Sequence, residues 1–467
     1  MFLNIDNKDR KSLAAIDDEG LFLSYGELCD FCSEFYSYIN KRTLVFILSE
    51  NCVGSFVGYI ATLSNNVVPL ILDSHTDSIL LNHLIGLYKP QYLWLPSVQA
   101  KEFKYTSIYE KYNYTLVETN FPMVALYEKL SLLLPTSGST GSPKLVRHSY
   151  RNVEANAQNV ATLFELTREE RAIVILPMHY TMGLSIISSH VYSGATLLLI
   201  KRNLIEKEFW DFIKENEATS FTGVPFSYEV LNKLRFFRMD LPELKLITQG
   251  GGKLRPELFR MCAEYAANNG KRFIATYGQT EGTARMAYLP AEFALNKCGS
   301  IGKAIPNGEI YLIDNDGNII DEANVAGEMI YKGENVTLGY AIQPVDLLLA
   351  DERNGVLHTG DIAYKDEDGF VYIVGRMSRF LKLYGFRVSL DETEQLIKSA
   401  YSDVECACVG TDKKLIVYVN DDQYSQKIIS HIAQKTKIIS AAFEVRYIAE
   451  IPKNEAGKIL YSKLEIE

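Results

Sequence analysis

The chain is poor in cysteine, has no uninterrupted apolar run long enough for a membrane, and carries no excess of basic charge. Seven cysteines in 467 residues are scattered and odd in number, which excludes a disulfide scaffold and fits a reducing, cytoplasmic setting. Cys29 and Cys32 form a CxxC, but no second pair or histidine cluster completes a metal site, so they read as helix neighbours one turn apart. Cys406 and Cys408 alternate within a β-like run and read as core. The first residues, MFLNIDNKDRK, are charged and contain no apolar h-region, so no signal peptide is expected. The longest mostly apolar stretch, 183–200, is interrupted by Ser185, Ser188, Ser189, His190, Ser193 and Gly194. It predicts a helix followed by a buried strand rather than a transmembrane segment. Lys plus Arg number 48 and Asp plus Glu 58, a net charge of −10, which argues against nucleic acid as the main partner but leaves room for a local basic pocket. No internal repeat or low-complexity tract is present.

What is there is ordinary globular composition, 47% hydrophobic and 23% charged, at a length that implies two or more domains. Ser24 followed by Glu27 forms a capping box ahead of an apolar-periodic helix that runs to about Ile39. Short buried-strand patterns recur at 44–48, 67–72, 172–176, 195–200, 219–224, 244–248 and 272–276, with helical stretches between most of them. That alternation predicts an α/β fold, a large N-terminal domain of mostly parallel sheets flanked by helices. Between about 300 and 375 the runs shorten and Asn315-Asp316-Gly317 and Asp368-Gly369 supply turns, which predicts an antiparallel β-subdomain. A small α+β domain follows over 377–467, after an N-terminal domain of 1–376.

Residues 132–149 are the most informative. An apolar strand runs into Thr136-Ser137-Gly138-Ser139-Thr140-Gly141-Ser142-Pro143-Lys144. Glycines let the backbone turn around an anion, hydroxyls and N–H groups donate, and Lys144 adds charge. The spacing is not a Walker loop, because GK[ST] is missing and Pro143 removes an N–H beside the lysine. By residue type alone Lys144 is either a phosphate ligand or a solvated loop lysine.

The chain resembles the adenylate-forming superfamily of acyl-CoA synthetases, 4-coumarate–CoA ligases, luciferases and adenylation domains. Five motifs stand in the family's order: TSGSTGSPK at 136–144, Tyr277-Gly278-Gln279-Thr280-Glu281-Gly282, His358-Thr359-Gly360-Asp361, Gly375-Arg376 with Lys382 and Gly385-Phe386-Arg387, and Asn454-Glu455-Ala456-Gly457-Lys458. The resemblance implies ATP-dependent activation of a carboxylic acid as acyl-AMP with release of pyrophosphate, followed by transfer to a thiol. It also implies a mobile C-terminal domain. Loop 136–144 would hold the β- and γ-phosphates. Tyr277 would stack on adenine, with Gly250, Gly251 and Gly252 lining the other side; by residue type those glycines fit a tight turn equally well. Gly278 and Gln279 belong to the same nucleotide-binding set. Thr280 would donate to the α-phosphate, and Glu281 would ligate Mg²⁺, as a hard oxygen donor can. Asp361, read in a TGD turn, would accept from both ribose hydroxyls, with Arg376 assisting. Lys382 and Gly385 are placed at the cofactor, Gly385 along the thiol's path. Lys458 would bridge carboxylate and α-phosphate during adenylation.

The sequence departs from the family at Ser378, the expected hinge, where an acidic residue or lysine is usual, at Arg379, where an acidic one is usual, and at Leu145, where Gly is common. In the acyl-pocket segment 176–184, His179, Tyr180 and Gly183 are the candidate lining residues, and core packing is the alternative for the two aromatic side chains. Tyr228 and 223–225 are weaker candidates. No Asp stands there to pair an amino group, so an aryl or acyl substrate is expected rather than an amino acid. Coenzyme A is the expected acceptor. The phosphopantetheine of an acyl carrier protein is the alternative, and a non-catalytic acyl- or nucleotide-binding relative is the alternative of another class.

Overall fold

Ser24 starts the first long helix, Tyr25–Tyr38, by the predicted reciprocal contacts: its hydroxyl accepts from Glu27 N at 3.2 Å and its own N–H donates to the Glu27 carboxylate at 2.8 Å. The computed structural model describes residues 1–136, 144–383, 386–436, 438–454 and 457–466. Among these, the chain forms two compact units, 1–309 with 331–357, and 310–330 with 358–467.

The first unit holds two large sheets. In one, six strands run parallel in the spatial order Arg272–Tyr277, Leu246–Gln249, Ser220–Gly223, Arg171–Val174, Thr196–Leu199, Leu13–Asp17. Antiparallel strands Ala287–Leu289 and Phe22–Ser24 lie next to the two ends of that run. The other sheet centres on the parallel strands Leu130–Pro135, Val68–Asp73, Leu44–Ser49 and Tyr92–Pro96. These strands are buried on both faces, which is why they read as continuous Val/Ile/Leu runs without alternation. Helices Val53–Ser64 and Thr181–Ser193 share one apolar cluster with residues of both sheets, among them Val45, Ile71, Val174 and Leu197.

The 183–200 stretch is a helix followed by strand Thr196–Leu199, separated by Gly194 at φ +78°. The serines that interrupt it find partners inside: Ser188 meets the Tyr59 hydroxyl at 2.9 Å and Ser189 donates to Ser185 O at 2.8 Å. Among the described residues, no helix is long and apolar enough to cross a membrane. Cys29 and Cys32 are buried free thiols on the first helix, and no group of three or more His, Cys, Asp or Glu side chains able to hold a metal occurs among the described residues.

The second unit contains strands of a four-stranded sheet ordered Glu309–Ile313, Gly327–Lys332, Val356–Lys365, Val371–Arg376, the last two antiparallel. It also contains the hairpin Phe380–Leu383 with Phe386–Ser389, helices Leu390–Ala400 and Ser425–Thr436, and a three-stranded sheet. In strand Cys406–Thr411 both cysteines face one core and Ala407 faces another, as period-two alternation requires. One expectation is corrected here. His358-Thr359-Gly360-Asp361 is not a turn; it lies within the ten-residue strand Val356–Lys365. Gly360, at φ +68°, bends that strand without ending it, and the register with its partner shifts between Ile362 and Ala363.

Candidate active site

Strand Arg272–Tyr277 delivers Tyr277 to a loop that closes on itself. Met286 N donates to Tyr277 O at 2.8 Å, and Gly282 N and Ala284 N both donate to Gln279 O at 3.1 Å. The loop is so tight that a Cβ on Gly278 would overlap the carbonyl oxygen of Ala284, so only glycine fits. Gln279 Nε2 donates to the Tyr277 hydroxyl at 3.1 Å. Thr280 and Glu281 lie on the short turn Thr280–Gly282.

Glu281 is held from both ends. Its carbonyl accepts from Thr337 N at 3.0 Å and Thr337 Oγ1 at 2.9 Å, and its carboxylate accepts from the Tyr340 hydroxyl at 2.7 Å. Burial, and then the carboxylate beside it, push the Tyr340 hydroxyl up to about 12, so it stays a donor at neutral pH. Two cations attend the same ring: Lys144 Nζ lies 5.6 Å and the Arg353 guanidinium 4.6 Å from its centre. Arg353 also donates to Thr337 Oγ1. Buried Arg147 donates to Tyr340 O at 3.0 Å, which fixes the strand that carries the tyrosine. A carboxylate held by a tyrosine whose ring draws two cations suits a polyanion bound together with a hard cation.

Lys144 stands at the neck of a hairpin. Pro135 pairs with Leu145, and Thr136 N and Oγ1 donate to Lys144 O at 2.9 and 3.2 Å. Ser137, Gly138, Ser139, Thr140 and Gly141 lie outside the described residues, as does Gly385. Lys382 is on strand Phe380–Leu383, with its side chain likewise outside the description.

The glycine turn and the 176–184 segment, singled out separately in the sequence, meet. A Cβ on Gly251, at φ +76°, would come 2.6 Å from the Tyr180 hydroxyl, and one on Gly250 2.6 Å from both Met182 Cε and Thr276 Oγ1. Gln249 Nε2 holds the turn through Gly252 O at 2.7 Å. His179 lies 3.9 Å from Asp73 through Nε2, its buried Nδ1 has no hydrogen-bond partner among the described residues, and burial lowers its pKa. Gly183 is a packing requirement: a Cβ there would overlap Pro177 O. Tyr228 is core rather than pocket lining, because it is fully buried and its hydroxyl donates to Thr248 O at 2.7 Å.

In the second unit, Asp361 is buried and pairs with the Arg376 guanidinium at 3.1 Å, while Thr359 Oγ1 accepts from Asp361 N at 3.1 Å and donates to Met329 O at 2.6 Å. Lys458 is exposed beside Gly457 at φ +72°, and Asn454 ties its backbone: Asn454 Oδ1 accepts from Lys458 N at 2.9 Å and Lys458 O accepts from Asn454 N at 2.8 Å. Arg379, unusual at its position, pairs with Asp391 at 2.7 Å and Glu394 at 2.6 Å and lies 3.6 Å over the Tyr461 ring.

Sequence reasoning missed Thr337, Tyr340 and Arg353, which stand more than fifty residues from Glu281 in isolated polar positions. It also missed Arg285, although this residue lies four positions after Glu281 in the same loop.

The sequence pattern of the AMP-binding enzyme family matches residues 6–341. This chain belongs to that family. Over 376 residues, 78% of this chain and 76% of the relative, it is 29% identical to a 2-succinylbenzoate–CoA ligase of Bacillus cereus (strain ATCC 10987 / NRS 248). Its fold matches that of the O-succinylbenzoate coenzyme A synthetase of Bacillus subtilis in complex with the acyl-adenylate intermediate OSB-AMP, with TM-score 0.79, 21% identity and coverage of 100% of this chain and 98% of that one. The same synthetase in complex with ATP and magnesium ion matches with TM-score 0.79 and 21% identity over 99% of this chain and 98% of that one. At that identity the likeness is one of fold: a large α/β N-terminal domain and a small C-terminal domain.

Proposed function

We propose that this AMP-binding enzyme is an acid–thiol ligase that activates a carboxylic acid with ATP and passes the acyl group to coenzyme A. A carboxylate oxygen attacks the α-phosphorus, the bond to the β-phosphate oxygen breaks, and pyrophosphate leaves. The thiol sulfur then attacks the acyl carbon, its proton goes to solvent, and AMP leaves with the carboxyl oxygen. The observation that carries this reading is the Glu281 arrangement: a carboxylate oriented by the hydroxyl of Tyr340, whose ring Lys144 and Arg353 both approach, in the loop that also presents Tyr277 and Thr280. The named activity of the Bacillus relative, and an acyl-adenylate bound to a protein of this fold, support it.

In this reading Tyr277 and Gly250 to Gly252 take the adenine, Thr280 the α-phosphate, and Asp361 with Arg376 the ribose. A single partly exposed carboxylate fits Mg²⁺, which keeps several waters and takes its remaining oxygens from substrate phosphates. Bound there, the ion would neutralise phosphate charge. Ser137 to Gly141 and Gly385 are assigned on sequence alone. We take 377–467 as a small domain turning at Ser378, in the short turn Met377–Arg379, so that Lys458 serves the adenylation step and the segment around Gly385 the thiol step.

The test is ATP–pyrophosphate exchange with a panel of aromatic, short, medium and long acids, followed by thioester formation with coenzyme A and, separately, with a carrier protein. Acid-dependent exchange and a coenzyme A thioester are expected. Background exchange with every acid would overturn activation, and a thioester formed only on the carrier protein would replace coenzyme A as acceptor.

A further inference from the structure

Arg379 follows the proposed pivot Ser378 directly, in the turn Met377–Arg379, and its side chain is drawn inward rather than left in solvent. That side chain is 13% exposed and the side chain of its partner Glu394 7%. Arg379 Nη2 donates to Glu394 Oε1 at 2.6 Å and to Cys408 O at 3.2 Å, and Nε lies 2.7 Å from Asp391 Oδ1. Helix Leu390–Ala400 carries both carboxylates, and strand Cys406–Thr411 closes the group, with Cys408 N donating to Glu394 Oε1 at 2.7 Å. A further member comes from much later in the chain. The Arg379 guanidinium lies 3.6 Å from the centre of the Tyr461 ring, and the Tyr461 hydroxyl donates to Glu394 Oε2 at 3.1 Å. A buried ion pair adds little net stability over apolar packing, because desolvation offsets the attraction. What this one does is join the pivot turn, the helix and the segment around Tyr461.

Tyr461 is the foot of the turn that carries Lys458. Lys453 and Ile459 pair as an antiparallel bridge, Leu460 N donates to Pro452 O at 2.8 Å, and the chain then enters the short turn Tyr461–Lys463. Ile459 and Tyr461 pack on one cluster of the small sheet, which includes Val409 and Ile416. Lys458 is exposed, three residues before the ring that Arg379 covers. A long side chain on an exposed turn reaches one point in space only if the turn is anchored, and a misplacement of about 1 Å can cost about 100-fold in rate. We propose that Arg379 is a positioning residue for Lys458: it fixes the foot of the lysine turn to the first residue after the pivot, so that the lysine turn moves with the chain that leaves Ser378. This rests on the adenylation role of Lys458 given above and adds the residue that sets its geometry.

The experiment measures the two half-reactions separately on the full chain. Acyl-AMP formation is followed by pyrophosphate exchange with benzoate, 2-succinylbenzoate, butyrate and octanoate, and thioester formation is followed from supplied acyl-AMP and coenzyme A. The variants are Arg379→Met with Glu394→Gln, which removes both charges together, Arg379→Lys, Tyr461→Leu and Lys458→Ala. The paired variant and Tyr461→Leu should each lower exchange about tenfold and leave the thioester step within about twofold, and Arg379→Lys should keep part of the exchange rate. Placed on Lys458→Ala, the paired substitution should lower exchange no further, since a residue that acts through Lys458 then has nothing left to position. Tyr461→Leu leaves the ion pair in place, so it decides the question if the paired variant does not fold. Equal loss of both half-reactions, normal exchange in Tyr461→Leu and the paired variant, or a further loss of about tenfold on Lys458→Ala overturns the proposal. Full exchange in Lys458→Ala removes the adenylation role of Lys458 and the proposal with it. If no acid supports exchange, activation falls, and amide hydrogen exchange over 457–464 decides the anchoring: faster exchange in the paired variant and in Tyr461→Leu upholds it, and unchanged exchange overturns it.

Discussion

Glu281 owes its geometry to groups more than fifty residues further along the chain. The Tyr340 hydroxyl fixes one carboxylate oxygen and Thr337 fixes the backbone beneath it, leaving the other oxygen for a ligand. Glu281→Ala should cut turnover at saturating Mg²⁺ about 100-fold or more while leaving the melting temperature close to that of the unaltered chain. Tyr340→Phe keeps the charge and loses the orientation; a loss of about tenfold, near 1.4 kcal/mol, is expected in kcat. Unchanged turnover in the first variant would falsify the metal-ligand role. Two histidines set a residue-level pH dependence. His148 and His190 are fully buried, and burial lowers each to about 4 from 6.5. The unfolded chain therefore binds more protons than the fold between these values. Stability is complete above pH 6.5 and lost as pH falls towards 4, by on the order of 3 kcal/mol per histidine. Urea titrations at stepped pH should show this decline, and a flat midpoint from pH 7 to 4.5 would contradict it.

At the scale of elements, caps and glycines behave differently under substitution. Ser24→Ala removes one half of a capping box on an exposed helix end, and the unfolding free energy should drop by about 1 kcal/mol with activity retained. Gly278→Ala forces a methyl group into the Ala284 carbonyl. The 277–286 loop has to open, so about 3 kcal/mol or more should be lost together with pyrophosphate exchange. Denaturant unfolding of the two variants, with exchange measured alongside, separates a local cap from a loop that carries the chemistry. If Gly278→Ala exchanges normally, the loop is not the adenylate site.

At the scale of the molecule, the proposed alternation of the small domain makes Lys458 and Ser378 separable. Lys458→Ala should depress acyl-AMP formation about 100-fold or more, near 2.7 kcal/mol, and spare thioester formation from supplied acyl-AMP. Ser378→Pro fixes one φ angle in the turn and should permit the first half-reaction while blocking the second. Paired half-reaction kinetics decide the matter, and equal loss of both steps in folded Lys458→Ala would remove the alternation.

The sequence by itself determined the strand runs, the first helix and its cap, the helix-then-strand nature of 183–200, and the motif order. Each is written in local spacing or composition: continuous apolar runs mark strands buried on both faces, and Ser24 with Glu27 marks a cap. Local signals also misled. The Thr359-Gly360-Asp361 run reads as a turn, yet the strand continues past a bend at Gly360 and Asp361 pairs with Arg376 across it. Tertiary structure alone decided which polar residues serve Glu281, because Tyr340 reaches it from a strand paired with Leu145–Ser149, Thr337 from the segment just before that strand, and Arg353 only through these two, and no spacing rule spans that distance. It alone decided that Tyr228 is core while Tyr180 meets the glycine turn, since an aromatic residue is written identically in either role. It alone also placed Arg285 in the interior with no carboxylate paired to it among the described residues, for the lack of a counter-charge cannot be read from the order of residues.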